Sequence, residues 1–237
     1  MLRPGFTRRR TAPWLTAFCG ALLTLTGLPG AASAVTPDPA SNYPEQIPSV
    51  CTTAPHSVPC TQAGVVELDD ARAWEDQPPY QLPEDFLSLS GAHQIVVLAN
   101  LDRQTNRLRA APGTTAPLNR AAMAGAVAWT DPVVRDARLS WAANWAGDFP
   151  AAVWAYLTWM YDDGYPGPNV DCATPGAQGC WGHRHSILTR FSPGGTLEMG
   201  AADLNDDSYA LIIAQSLPSA PVHYTYRFPA PAPAPAS

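Results

Sequence analysis

The residues best suited to chemistry crowd into one stretch of the chain. Asp162, Asp163, Asn169 and Asp171 precede a cysteine pair, Cys172 and Cys180, and His183, Arg184 and His185 follow it. A disulfide-closed loop that brings a histidine towards carboxylates can bind a ligand or move a proton. The plainer reading is a structural corner, in which Asp162 and Asp163 solvate a helix end and His183 caps or packs. Sharper chemistries fit poorly. His183 and His185 are two residues apart, so on a helix they point different ways and cannot share a metal; only on a strand could they chelate. Neither H-E-x-x-H nor G-x-S-x-G occurs. Asp203-x-Asn205-x-Asp207 opens like a calcium loop, but Ser208 stands where that loop needs glycine and Ala214 where it needs glutamate. A hairpin turn is expected there.

The elements that must position these residues are read from periodicity and caps. Ser90 is a good N-cap for a helix reaching about Leu108, with Ile95, Leu98, Leu101 and Leu108 on its buried face. Leu118 to Trp129 is Ala-rich and helical, and Asp131-Pro132 closes it. Asp148 and Pro150 suggest the start of a third helix, running to about Asp162 and ending at Gly164. Its aromatic and aliphatic residues, Trp154, Trp159 and Met160 among them, cover most of its surface, so deep packing is expected, with Trp159 inside. A short helix is expected from near His183 to Thr189. Strand-like runs follow at about Thr196–Ala202 and Ser208–Leu217. Helices first and a hairpin last predict an α+β or layered α/β domain.

The flanks read differently. Arg3, Arg8, Arg9 and Arg10, an apolar run from about Trp14 to Leu28, and Ala32-Ser33-Ala34 have the order of a cleaved signal peptide over residues 1–34. An uncleaved anchor is the alternative, and the export route, general or twin-arginine, stays open. Residues 35–85 carry many prolines and are expected to form an irregular arm. Residues 218–237 end in a Pro/Ala run expected to be a disordered tail. Beyond residue 34 the chain has ten arginines, no lysine and twenty acids. That acidity argues against nucleic acid and anionic membrane surfaces as partners. Four cysteines remain, and their spacing favours two local disulfides, Cys51–Cys60 and Cys172–Cys180, among three possible pairings.

Five segments in order resemble a family. Asn100-Leu-Asp-Arg103 with Leu108 resembles the N-x-x-R…L of the first helix in bacterial CAP (SCP-like) domains. These are relatives of plant pathogenesis-related proteins, venom allergens and cysteine-rich secretory proteins. Ala143-Asn144-Trp145-Ala146 resembles the family's G-E-N-x-A, and Trp159-Met-Tyr-Asp162 its W-x-x-E. Gly182-His183-Arg184 with Ile187-Leu188 resembles its G-H-R-x-N-I-L, and Glu198-Met199-Gly200 its E-V-G. The likeness spans about residues 86–217 and implies a three-layer α-β-α sandwich with a surface groove.

The family's groove usually carries two histidines and two acids, which in some members hold a divalent metal. Carried over residue by residue, His183 matches the second histidine and Asp162 the second acid. Ala143 replaces the first glutamate, and no histidine lies near Arg138–Ser140. Asp162 and His183 remain as candidate metal ligands, with Asp163 or Asp171 able to stand in. Asn144, Asp162, Asp163, His183 and Arg184 are the groove candidates. The resemblance thus implies an extracellular, non-catalytic, monomeric CAP-like domain with no resident cofactor. It would bind a lipid or other small hydrophobic ligand, a metal, or another extracellular protein, and an apolar groove could be lined by Trp141, Trp145 and Trp154. The rivals are a hydrolase using Asp162 or Asp163 with His183, and a structural protein of the cell wall.

Overall fold

The computed structural model describes residues 37–205, 207–217 and 221–229. The expected signal peptide and the end of the Pro/Ala run lie outside them. Strands β1 (Gly113–Thr115), β2 (Leu139–Gly147), β3 (Thr196–Leu204), β4 (Ser208–Ser216) and β5 (Tyr224–Arg227) form one sheet in the order β2-β4-β3-β1-β5. Pairing is antiparallel except between β1 and β3. The fold is mixed α/β.

The interior strand β4, between β2 and β3, shows why the sheet is covered on both faces. Tyr209, Leu211 and Ile213 join the core on one side, while Ala210, Ile212 and Ala214 join a separate core on the other. Alternate residues of a strand point to opposite faces, so two apolar sets require two covering layers. Helix α4 (Ala116–Ala128) supplies one layer through Leu118, Ala122 and Ala126. Helices α3 (Gly91–Thr105) and α5 (Ala152–Tyr161) supply the other. Ser90 caps α3 by accepting from the His93 N–H, as its residue type predicts.

Every residue of α5 is buried, in keeping with its near-continuous apolar surface. Its start differs from the expectation. Asp148 is no cap: its backbone is left-handed and its N–H donates to the Asp207 carbonyl. The chain bends at Pro150, and Ala151, in extended backbone, is the actual N-cap.

Two further corrections concern the flanks. Residues 35–85 are not an irregular arm. They contain short α1 (Ser49–Thr53) and the 17-residue α2 (Val58–Trp74). Pro59 sits at the start of α2, where its missing N–H costs nothing, and Ser57 caps the helix by accepting from the Cys60 N–H. Helix α2 lies against α5 so closely that a Cβ on Gly64 would come within 2.4 Å of the Val153 side chain. Nor are residues 218–237 tail throughout. Strand β5 pairs with β1, and the Tyr226 ring stacks on His93 at 4.0 Å. The expected disorder beyond residue 229 falls outside the described residues.

Both local disulfides are present, Cys51–Cys60 between α1 and α2 and Cys172–Cys180 in the loop before helix α6 (Gly182–Ile187). Disulfides are characteristic of oxidising compartments. Among the described residues no helix is long and apolar enough to cross a membrane. Polar pins complete the frame. The Asn100 side chain exchanges two hydrogen bonds with the Ala111 backbone. Arg103 donates to the carbonyls of Ile187 and Thr189, which ties α3 to the end of α6. Buried Asp102 accepts from Arg72 and from the hydroxyls of Tyr80 and Tyr156.

Candidate functional site: the groove at His183

His183 stands in the first turn of α6, and the disulfide loop delivers it there. Asp163, just past the end of α5, is fully buried behind it. One carboxylate oxygen of Asp163 accepts the His183 backbone N–H at 2.8 Å, and the other accepts from the ring Nδ1 at 2.7 Å. An ionised carboxylate can only accept, so Nδ1 carries the proton. Asn144 on β2 donates to the His183 carbonyl at 3.0 Å. Asn169 donates to the carbonyls of Asp163 and Gly179, fastening the disulfide loop to the same corner. His183 is therefore held at its backbone and at one ring nitrogen, leaving Nε2 on the side of Asp131, 3.9 Å away.

In front of the ring lies a groove of about 410 Å³. Trp129, Trp145, Trp159 and Phe149 form its aromatic part, and Asp131, Asp163, Asp171 and His183 its ionisable part. The indoles are fixed by construction. Trp145 Nε1–H donates to the Ser208 hydroxyl, which donates to the Ala126 carbonyl, and Trp159 Nε1–H donates to the Trp145 carbonyl. Trp129 and Trp145 meet with ring centroids 5.7 Å apart and planes inclined by 58°. Only glycine fits at 147 beside them, since a Cβ there would lie 2.7 Å from the Trp129 ring and 2.9 Å from the Trp145 ring.

Burial works against a charged imidazolium at His183. The hydrogen bond to Asp163 and the negative charges of Asp163, Asp131 and Asp171 outweigh it, so the His183 pKa is raised. Partial burial also raises the Asp131 carboxyl, with His183 and the backbone N–H of Trp145 opposing.

The sequence candidates separate in space. His183 and Asp163 line the groove together, and Asp171 lies on its wall. Asp162 does not line it. Burial and the Asp163 charge push the Asp162 pKa up to about 6, and Asp162 in turn acts on Glu45 of the N-terminal segment. Arg184 is buried away from the groove, donating to the Met160 carbonyl and to Glu75. Asn144 acts behind His183 through its carbonyl. Of the three tryptophans expected in the lining, Trp145 is there. Trp154 is fully buried in the core, and Trp141 lies outside the groove on β2.

The sequence reading missed Trp129 and Asp131 as groove residues. One signal was available: a large aromatic directly before the Thr130-Asp131-Pro132 stop, where glycine or asparagine is usual. Trp129 does take the left-handed conformation there, φ 53°.

The donor set does not fit the metal the resemblance implies. Both Asp163 oxygens are engaged by His183, which leaves His183 Nε2 and Asp131 as the close pair. Catalytic zinc takes three protein ligands and structural zinc four. Among the described residues no three histidine, cysteine or acidic side chains are placed to hold a metal ion. The lining also contains no serine or cysteine; of its two threonines, Thr130 and Thr158, the Thr158 hydroxyl donates to the Trp154 carbonyl. A wider groove of about 710 Å³ lies between the Pro78–Glu84 segment and α3, but it contains no histidine, and its Arg72 is engaged by Asp102. No protein-family model, curated protein or solved structure matches the chain.

Proposed function

We propose that this chain is a secreted, CAP-like binding module whose groove at His183 holds a small extracellular ligand, without turning it over. The supporting observation is the commitment of the Asp163–His183 pair. Asp163 is spent on holding the first turn of α6 and the imidazole, while the space in front is walled by aromatic rings and offers no serine or cysteine nucleophile. Fixed apolar walls with a few convergent polar groups are the usual makeup of a ligand pocket. The two disulfides and the signal-like first 34 residues support export.

Native mass spectrometry of protein recovered from its own culture medium tests this reading. The expected species begins near Val35 and carries a non-covalent adduct that is lost in Trp145→Ala. Retention of residues 1–34 in the cell envelope would contradict export. A second reading, a hydrolase in which His183 Nε2 activates water, draws support from the oriented Asp163–His183 pair alone. Turnover of ester or amide substrates that disappears in His183→Gln would favour it over binding.

A further inference from the structure

We infer that the ligand is an organic cation, an alkylated or quaternary ammonium group seated in the corner of Trp129 and Trp145 beside Asp131. This rests on the groove being a binding site and names the class of molecule it takes. The corner has the right form. Two indoles inclined by 58° with centroids 5.7 Å apart form a tilted pair rather than a parallel stack, and both line the groove. The π-face of tryptophan is the most attractive of the aromatic side chains to a cation.

The corner is also built rather than incidental. Trp145 is anchored through Ser208 to the end of α4, and Gly147 clears the space both rings occupy. Trp129 remains 45 % exposed at a left-handed residue, a conformation disfavoured for a bulky side chain. Strain of this kind collects where a side chain is being aimed.

Charge chooses among ligands that could lie against aromatic rings. Asp163 is committed to His183, which leaves Asp131 and Asp171 as the lining's other carboxylates, and the lining has no lysine or arginine. An anionic ligand would be repelled. A hydrocarbon chain would cover carboxylates without compensating their charge, which is unfavourable. A neutral sugar would stack but leave the negative field uncompensated. A cation satisfies the rings and the carboxylates together, and the acidic chain as a whole favours its approach. An alkylated ammonium suits this groove better than a metal ion because its charge is spread over methyl groups that the indoles can cover.

The experiment is a titration of the secreted protein with tetramethylammonium and choline, followed by tryptophan fluorescence and calorimetry. The neutral carbon isostere 3,3-dimethylbutanol and a fatty acid are titrated alongside. Saturable binding of the cations is expected, about tenfold or more tighter than the isostere, and weakening with added salt. Asp131→Asn, which keeps shape and removes charge, and Trp129→Ala should each weaken it by about tenfold, with Asp131→Asn still unfolding in one cooperative thermal transition. Equal binding of the isostere, preferential binding of the fatty acid, or no response to either cation overturns the inference. In the first two cases the groove remains a binding site. Loss of the medium-derived adduct from wild-type protein, together with His183-dependent turnover, removes the binding reading itself.

Discussion

Asp163 grips His183 at two points, the backbone N–H at 2.8 Å and the ring Nδ1 at 2.7 Å, from a position with no solvent exposure. A single carboxylate thereby caps the first turn of α6 and fixes the orientation of the imidazole. The pair joins the end of α5 to the loop closed by Cys172–Cys180. Disturbing it should be felt first in stability and in the shape of the groove.

The raised pKa of His183 gives that pair a pH signature. Stability from it is fully present below the ring's ordinary value of 6.5 and is lost as pH rises through the higher folded value. The charged groups facing the ring are Asp131 after α4, Asp163 after α5 and Asp171 just before the disulfide loop. The unfolding free energy of wild-type protein should therefore fall as pH rises above about 6.5, and this slope should be shallower in His183→Ala. That variant should lose about 1–3 kcal/mol at pH 6 by leaving buried Asp163 unpaired. Chemical denaturation at several pH values reads both quantities, and an unchanged slope in the variant would assign the titration to another group.

Trp159 is 1 % exposed, donates to the Trp145 carbonyl and lies beneath the His183 ring. Trp159→Ala should cost about 3–5 kcal/mol, the range for emptying an aromatic core position. A loss below about 1 kcal/mol in urea unfolding would show that the neighbours collapse into the space. The same variant should enlarge the groove and abolish the ligand adduct even at temperatures where it remains folded.

Locally encoded features were legible in the sequence. Ser90, the Ala-rich α4, the short helix at His183 and the β3–β4 hairpin each carry their own cap, composition or turn, and each forms as expected. What failed to show depends on distant partners. Strand β2 has a weak burial alternation, and only its register with β4, Leu139 opposite Ser216 through Gly147 opposite Ser208, makes it a strand. Strand β5 hides among prolines and is defined by β1. Helix α2 was obscured because Pro59 reads as a breaker unless its place in the first turn is known. Choosing Asp163 over Asp162 was beyond periodicity for a related reason. Helix α5 ends at Tyr161, so the direction of the next two side chains is set by tertiary contacts. Trp129 and Asp131 reach His183 only because the end of α4 packs over the end of β2.

Asn169 and Asp171 lie against the groove just before the Cys172–Cys180 loop, and His183 just beyond its end. Closing a loop of 8 residues' separation removes unfolded-chain entropy worth about 2.5 kcal/mol. The double variant Cys172→Ser/Cys180→Ser should lose roughly that much stability. Amide exchange in the variant should speed up first at residues 168–171 and at His183, with β3 and β4 unaffected. Uniform acceleration across the sheet would mean that the disulfide supports the whole fold rather than this wall.

The opposite side of Asp163 holds a second titrating set, formed where the N-terminal segment docks on the end of α5. The Tyr43 N–H donates to the Tyr161 carbonyl, and Asn42 clasps Gly164 and Pro166. This contact places Glu45 near Asp162. Burial, then the charges of Asp162 and Glu67, push Glu45 up to about 7, and burial with Asp163 pushes Asp162 up to about 6. Oε2 of Glu45 has no hydrogen-bond partner among the described residues. Both pKa values are raised on folding, so the folded state holds these protons more tightly. The associated stability is complete below the ordinary values of 3.8 for Asp162 and 4.5 for Glu45, and it is lost as pH rises through about 6 and about 7. The thermal midpoint should therefore decline between about pH 4 and 7, a window that overlaps the start of the His183 slope. Asp162→Asn should flatten the decline and raise stability at pH 7 by about 1 kcal/mol, a modest gain because water screens a half-exposed carboxylate. It should leave ligand binding in the groove intact, since Asp162 does not line it. A variant that lost the ligand but kept the wild-type pH profile would place Asp162 in the groove and overturn this division between the two sides of Asp163.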